Sequence, residues 1–305
     1  MKHVLLVFSF IACIVNAQEI KVKKISKFIP DRAGNYSVSG ISPDGRQMLV
    51  TGPNSKGLYL VNIKSRKTHT ISESTGAGYE PVFSADGRFI LFRSDEYINK
   101  RRVSSLLKLD LVTADTVILE KKVRNLSRPA VTGNNIAYVA DGHHRTKEYQ
   151  QKIQKSAAKE TYVILEDLIP VIYINGIKKT LQPGGEGSYI WVSLSPDKTR
   201  LLYCLAGKGT FVSDLVGNVI ASAGKLNAPK WLNNQIVVGM VDKDDGMKVI
   251  SSEIIAFSVT AKKKINLTST VERSEMFPYP FPDGKRIAFR TPEGMLYIMK
   301  IKIKQ

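Results

Sequence analysis

The chain has 305 residues, 43% of them hydrophobic, with 45 Lys and Arg against 27 Asp and Glu for a formal net charge of +18. Two cysteines are too few for a disulfide framework, so the core alone must hold the fold, and the length suffices for one large domain. The basic excess is spread along the chain, without a recognition module or a basic stripe interleaved with aromatics; it argues against nucleic acid and for solubility plus attraction to anionic surfaces.

The first segment reads as an export signal. Lys2 and His3 precede an apolar run from Val4 to Val15, and Val15-Asn16-Ala17 predicts cleavage before Gln18. The run is shorter than the roughly 20 residues a spanning helix needs, and no other segment is apolar enough to cross a bilayer. Residues 1–17 are thus expected to be a signal peptide, and 18–305 a single domain of periplasmic or secreted location. Phe10-Ile11-Ala12-Cys13 gives the alternative, a lipoprotein anchored at Cys13. Cleavage removes one Lys and no acid, leaving a charge of +17. It also leaves Cys204 alone in the strand LLYCLA, where it reads as a small buried hydrophobe.

Downstream, one phrase recurs: a β-rich run, a tight corner, another β-rich run. The corners are SPDG at Ser42–Gly45, SADG at Ser84–Gly87, SPDK at Ser195–Lys198 and FPDG at Phe281–Gly284. Pro presets φ at the first corner position, Asp tolerates the second, and Gly takes the left-handed conformation that closes the hairpin. Thr132-Gly133-Asn134-Asn135 and Leu232-Asn233-Asn234-Gln235 fit the same corner. All intervals but that from 132 to 195 suit one four-stranded propeller blade.

The strands follow in order. Blade 1 is expected at Tyr36–Ser42, Arg46–Gly52, Gly57–Ile63 and Thr68–Glu73. The next occupies Pro81–Ser84, Arg88–Ser94, Ser105–Leu111 and Asp115–Lys121. After the long interval come Trp191–Ser195, Arg200–Leu205, Thr210–Leu215 and Val219–Ala223, then Pro229–Leu232, Gln235–Val241, Ser252–Val259 and Lys262–Thr268. Phe277–Phe281, Arg286–Arg290 and Met295–Lys302 leave the last blade one strand short. The orphan run Ile20–Ile25 alternates apolar and Lys residues as Lys300–Lys304 does, so the two ends are expected to pair and close the ring. The long interval holds Asp141–Glu160, rich in helix formers, read as a partly helical insertion before strands resume at Tyr162–Glu166 and Val171–Asn175. Asn175-Gly176 is a strong hairpin turn. The expected fold is all-β: a six-bladed propeller closed by its N-terminal strand, with an insertion at about 141–160.

These corners behind a signal peptide resemble the WD-like repeats of the TolB-type propellers. Tyr189–Tyr203 (YIWVSLSPDKTRLLY) and Asn227–Gly246 (NAPKWLNNQIVVGMVDKDDG) are similar to a TolB-like family of exported Bacteroidetes proteins. The resemblance covers roughly residues 30–300 and implies a fold, since the matching residues are turn formers. The additional α/β domain of TolB has no counterpart here, which argues against a Tol–Pal role, and the GxSxG elbow of propeller-bearing peptidases is missing.

Chemistry is sparsely signalled. HExxH, CxxC, Walker and Rossmann patterns are absent, so no catalytic residue, cofactor or metal is assigned. His143-His144 reads as a solvated pair, and Asp242–Gly246 as a charged turn, because its Gly falls one position early for a calcium loop and no distal Glu follows. Propeller partners dock where outer-to-inner loops gather at the channel mouth: here Ser74–Glu80, Lys122–Arg128, Gln182–Trp191, Gly224–Trp231 and Thr270–Met276. Tyr79, Glu80, Arg128, Tyr189, Trp191, Lys230 and Trp231 would ring that mouth, with Trp191 and Trp231 equally able to pack between blades. The expected function is a non-catalytic, monomeric envelope scaffold binding a protein or an acidic glycan. The alternative is a lyase or hydrolase of an anionic glycan using Glu80 and Glu275.

Overall fold

The computed structural model describes residues 19–133, 135–148 and 161–304. The expected signal peptide, Cys13 and the helical reading of 149–160 therefore lie outside the described residues.

Chain order builds the sheets one after another. The first strand, β1 (Glu19–Phe28), is set aside for the last sheet. Blade 1 is β2 (Ser37–Ile41), β3 (Gln47–Thr51), β4 (Leu58–Asn62) and β5 (Thr68–Ser72). Blade 2 is β6 (Val82–Phe83), β7 (Phe89–Ile98), β8 (Arg101–Asp110) and β9 (Thr116–Val123). Two three-stranded sheets follow. Blade 3 is β10 (Ala130–Thr132), β11 (Asn135–Ala140) and β12 (His143–Glu148); blade 4 is β13 (Thr161–Glu166), β14 (Ile169–Ile174) and β15 (Ile177–Thr180). Blade 5 is β16 (Tyr189–Leu194), β17 (Arg200–Leu205), β18 (Gly209–Asp214) and β19 (Val219–Gly224). Blade 6 is β20 (Asn227–Trp231), β21 (Ile236–Asp244), β22 (Val249–Ser258) and β23 (Lys263–Asn266). Blade 7 is β24 (Met276–Pro280), β25 (Arg286–Arg290) and β26 (Leu296–Lys304), completed by β1.

The ring has seven blades, not the six that the corners suggest. The long interval holds two blades rather than one blade and an insertion. His143–Glu148, expected in that insertion, is the third strand of blade 3. The missed corner is Asp167-Leu168, where both residues have positive φ (48° and 61°) and join β13 to β14. Leu is a poor advertisement for a type I′ turn, which Asn-Gly normally marks. Asn175-Gly176 does close the β14–β15 hairpin.

Packing fixes the blade number independently. The buried apolar residues fall into seven clusters, one between each pair of adjacent blades. Alternation along each strand feeds both neighbours. On β11, Ile136, Tyr138 and Ala140 face blade 2, whereas Ala137 and Val139 face blade 4. Closure runs as expected. β1 pairs antiparallel with β26 from Glu19–Lys304 to Phe28–Leu296. It delivers Ile20 to the core between blades 6 and 7, and Phe28 to that between blades 7 and 1.

The corners share one hydrogen-bond knot. Ser42, Ser84 and Ser195 each donate to the Asp two residues on, at 2.6, 2.5 and 2.6 Å. Each serine oxygen also accepts a backbone N–H five residues on, from Gln47, Phe89 and Arg200. These turns lie at one end of the ring; the outer-to-inner loops and the second-to-third-strand hairpins lie at the other.

Candidate functional site

Each innermost strand runs along the channel, and most carry the same irregularity. The pairing of β16, β20 and β24 with their second strands shifts register midway. A non-glycine residue with left-handed φ sits four positions before the corner: Glu80 (49°), Trp191 (51°), Ala228 (47°) and Phe277 (52°). Arg128 holds that position in blade 3. Such bulges re-aim the side chains around them, and left-handed φ away from glycine costs about 1–3 kcal/mol. Two residues before the corner, the next position toward the channel holds Lys230 in blade 6 and Tyr279 in blade 7. The Lys230 Nζ stands 4.6 Å above the Tyr279 ring.

Four of the seven residues expected at the mouth act on one another there. Glu80 pushes the Tyr79 phenol up, with burial adding to it, while Arg93, Arg102 and Arg128 oppose the shift. Lys230 keeps some accessible surface because the channel is open, yet protein surrounds it; burial, with Arg128 adding, brings its ammonium down to about 8 against the pull of Glu80. Burial raises the Tyr279 phenol, and Arg128 and Glu80 act on it in opposite directions. Arg93 is 7% exposed; it lies 4.6 Å from the Tyr79 ring centroid and donates from Nη2 to the Leu126 carbonyl at 2.8 Å. The mouth thus gathers four basic groups, Arg93, Arg102, Arg128 and Lys230, against Glu80 and Asp95. A cleft of about 220 Å³ leads from Arg128 and Tyr279 along Gly40, Val82 and Ser84 toward the corner end.

Of the other three expected residues, two pack between blades. Tyr189 has no accessible surface: its hydroxyl accepts from Gly184 N and donates to the Gly185 carbonyl at 2.7 Å, inside the core between blades 4 and 5. Trp231 packs between blades 5 and 6 and donates from Nε1 to the Ser193 carbonyl at 3.4 Å. Trp191 is half-buried in the β16 bulge. Glu275, the carboxylate of the enzyme alternative, is also out of reach. Its side chain is fully buried, accepting from Thr270 at 2.7 Å and Arg273 at 2.9 Å, and burial raises its carboxyl. Cys204 is buried, as expected.

Residues absent from the expected ring complete the site. Arg93 and Arg102 come from the β7–β8 hairpin, which extends beyond the usual strand length. Tyr279 carries a signal that counting finds: it occupies the register position of Lys230. His144 is half-buried rather than free in solvent: it stacks on Tyr173 of the next blade at 4.3 Å, with Tyr162 donating to or accepting from its Nε2 at 3.2 Å. In the acidic turn, Asp242 accepts from Asn227 at 2.6 Å, and Asp244 and Asp245 accept backbone N–H groups of that turn.

No family model matches the chain, and no curated protein does. Solved structures match its shape. The propeller domain of Cps50 (Swd1) from Myceliophteria thermophila is similar at a TM-score of 0.60 and 8% identity, over 93% of this chain and 100% of that one. An oligogalacturonate lyase in complex with manganese is similar at 0.51 and 15% identity, over 86% and 76%. TolB from Acinetobacter baumannii matches at 0.47 and 17% identity, over 75% and 53%. The chain is a β-propeller. At these identities the two structures with TM-scores above 0.5 bear on the fold alone, because function lives in sites grafted on a fold. Among its described residues, no helix of the propeller is long and apolar enough to cross a membrane.

Proposed function

We propose that this propeller is an exported, non-catalytic scaffold that binds an acidic glycan of the cell envelope across its channel mouth. The observation that carries this reading is the convergence of Arg93, Arg102, Arg128 and Lys230 around the Tyr79 and Tyr279 rings. Arginine forks match carboxylates bidentately, and tyrosine faces offer stacking area at little entropic cost. A crowd of like charges is unfavourable without a ligand, and an anion relieves it. An acidic protein surface would use the same groups, with the exposed Tyr97 and Ile98 of the β7–β8 hairpin as added apolar contact.

Affinity electrophoresis in gels containing polygalacturonate tests the reading. Retardation is expected for the native protein and its loss for Arg128→Gln and Lys230→Gln, with unchanged melting. Equal mobility of native and variant proteins in every acidic polysaccharide tried would overturn it.

A second reading is favoured by one feature. An amine lowered to about 8 beside Arg128 suits β-elimination from a uronate. Arg128 neutralises the carboxylate, Lys230 takes the C5 proton, the C4–O bond breaks as the C4–C5 double bond forms, and water protonates the departing oxygen. Unsaturated product absorbing in the ultraviolet, abolished by Lys230→Gln, would establish the enzyme reading over the scaffold.

A further inference from the structure

A second cavity opens on the mouth side of the ring, away from the channel, at the seam where the ring closes. It measures about 370 Å³ and is lined by Asn35 of the β1–β2 linker, Ser37, Thr51, Asn54 and Ser55 of blade 1, and Arg290 of blade 7. Asn54 and Ser55 both hold left-handed φ (55° and 57°), which fixes the loop that walls one side.

Arg290 is the one charged residue lining this cavity, and no Asp or Glu lines it. Its guanidinium is held in place: Nη1 donates to the Thr291 and Pro292 carbonyls at 3.1 and 3.3 Å, and its carbon stands 4.9 Å from the Phe277 ring centroid. Among the described residues it forms no ion pair and its buried Nε has no hydrogen-bond partner. Glu293 acts on it through space but is itself bonded to Thr291. A half-buried cation that only Glu293 pulls on, through space and without an ion pair among the described residues, is under-compensated, and an anion bound against its guanidinium offsets that cost.

We infer that this seam cavity binds one uronic acid unit, its carboxylate on Arg290 and its hydroxyls on the Asn and Ser side chains. The volume lies at the small end of ligand cavities, which suits a single sugar. One arginine balances one carboxylate, whereas a phosphate monoester would leave charge uncompensated. The hydroxyl and amide lining matches a polyol. This site shares no residue with the channel mouth and does not rest on the channel reading. Because linker, first blade and last blade all line it, only the closed ring presents it, and its ligand would also stabilise the closure.

Calorimetric titration of the intact protein with D-glucuronate, D-glucose and a galacturonate trimer tests this. Saturable glucuronate binding is expected, with glucose at least about tenfold weaker and Arg290→Gln losing about tenfold or more, as for a charge-assisted contact. A trimer that binds more tightly than the monomer assigns the end of a chain; equal binding assigns a free sugar acid. Should Arg290→Gln not fold, Ser37→Leu fills the cavity and must abolish binding. Absence of saturable glucuronate binding once the mouth is disabled by Arg128→Gln, or its retention in that background when Arg290→Gln or Ser37→Leu is added, would each overturn the proposal.

Discussion

Glu19, at the start of β1, lies opposite Lys304, at the end of β26, and its Oε2 meets the lysine Nζ at 3.0 Å. Both side chains are about half exposed, so solvent screens this ion pair and it contributes little. The strand it begins matters far more, because Ile20 and Phe28 enter two different inter-blade cores. Phe28→Ala is expected to cost about 3–5 kcal/mol in urea unfolding, and Glu19→Gln far less. Comparable losses from the two would show that the ends are latched by charge rather than by apolar burial.

Gly78 marks a close approach between blades 1 and 2. A Cβ there would stand 1.9 Å from the Thr51 Oγ1, which donates to the Gly57 carbonyl at 2.8 Å. Gly78→Ala should therefore lower stability by about 1–3 kcal/mol, as overpacking does. At Gly142 a Cβ meets nothing within 4 Å and only φ (+79°) is strained, so the same change should cost about 1 kcal/mol. Thermal melting of the two variants gives the comparison.

The corner knots make stability acid-sensitive. Ser195 holds the Asp197 carboxyl below its ordinary range, and Ser42 does the same for Asp44. A folded-state pKa below the unfolded one contributes stability above the unfolded value, near 4, and loses it as pH falls through the folded value. Asp197→Asn should thus be less stable than the native protein at pH 7 and converge with it at about pH 2. Ser195→Ala, which removes an acceptor from two backbone N–H groups, is expected to cost about 1–2 kcal/mol.

Lys230 is also lowered, but here burial penalises the charged form instead of hydrogen bonds favouring it. Its folded value of about 8 lies below the ordinary 10.5, so holding it charged costs stability at all pH values below 8. The unfolded chain binds the extra proton between 8 and 10.5, and stability should rise across that window. Lys230→Met removes the rise, which unfolding at pH 7, 8.5 and 10 will register. Binding of an anion at the mouth should weaken as pH climbs through 8, since the ammonium is then lost.

Features set by short stretches of chain were legible. The Ser-Pro-Asp-Gly corner is a contact between residues two to five apart, so its residues announce it. The β1–β26 pairing was readable for a related reason: alternation of apolar and Lys residues marks a half-buried strand wherever it docks. Asp167-Leu168 shows the limit. Its positive φ values carry no local signature, and without that corner two short blades looked like one with an insertion.

The site divides the same way. Tyr79, Glu80, Arg128 and Lys230 could be named as neighbours because each lies in an outer-to-inner loop or at the start of an innermost strand. Tyr189 has the chemistry of a binding residue but turns into the core, and Arg93 reaches the mouth only because the β7–β8 hairpin carries it there.

By itself the sequence determined the blade as a unit, its turns, and the meeting of the two ends. Only the tertiary structure decided that seven blades close the ring, which aromatics are buried, and that Arg290 is the one charged residue lining the seam cavity. Strand and turn follow from neighbours along the chain, whereas blade number, burial and charge balance follow from packing between residues far apart in it.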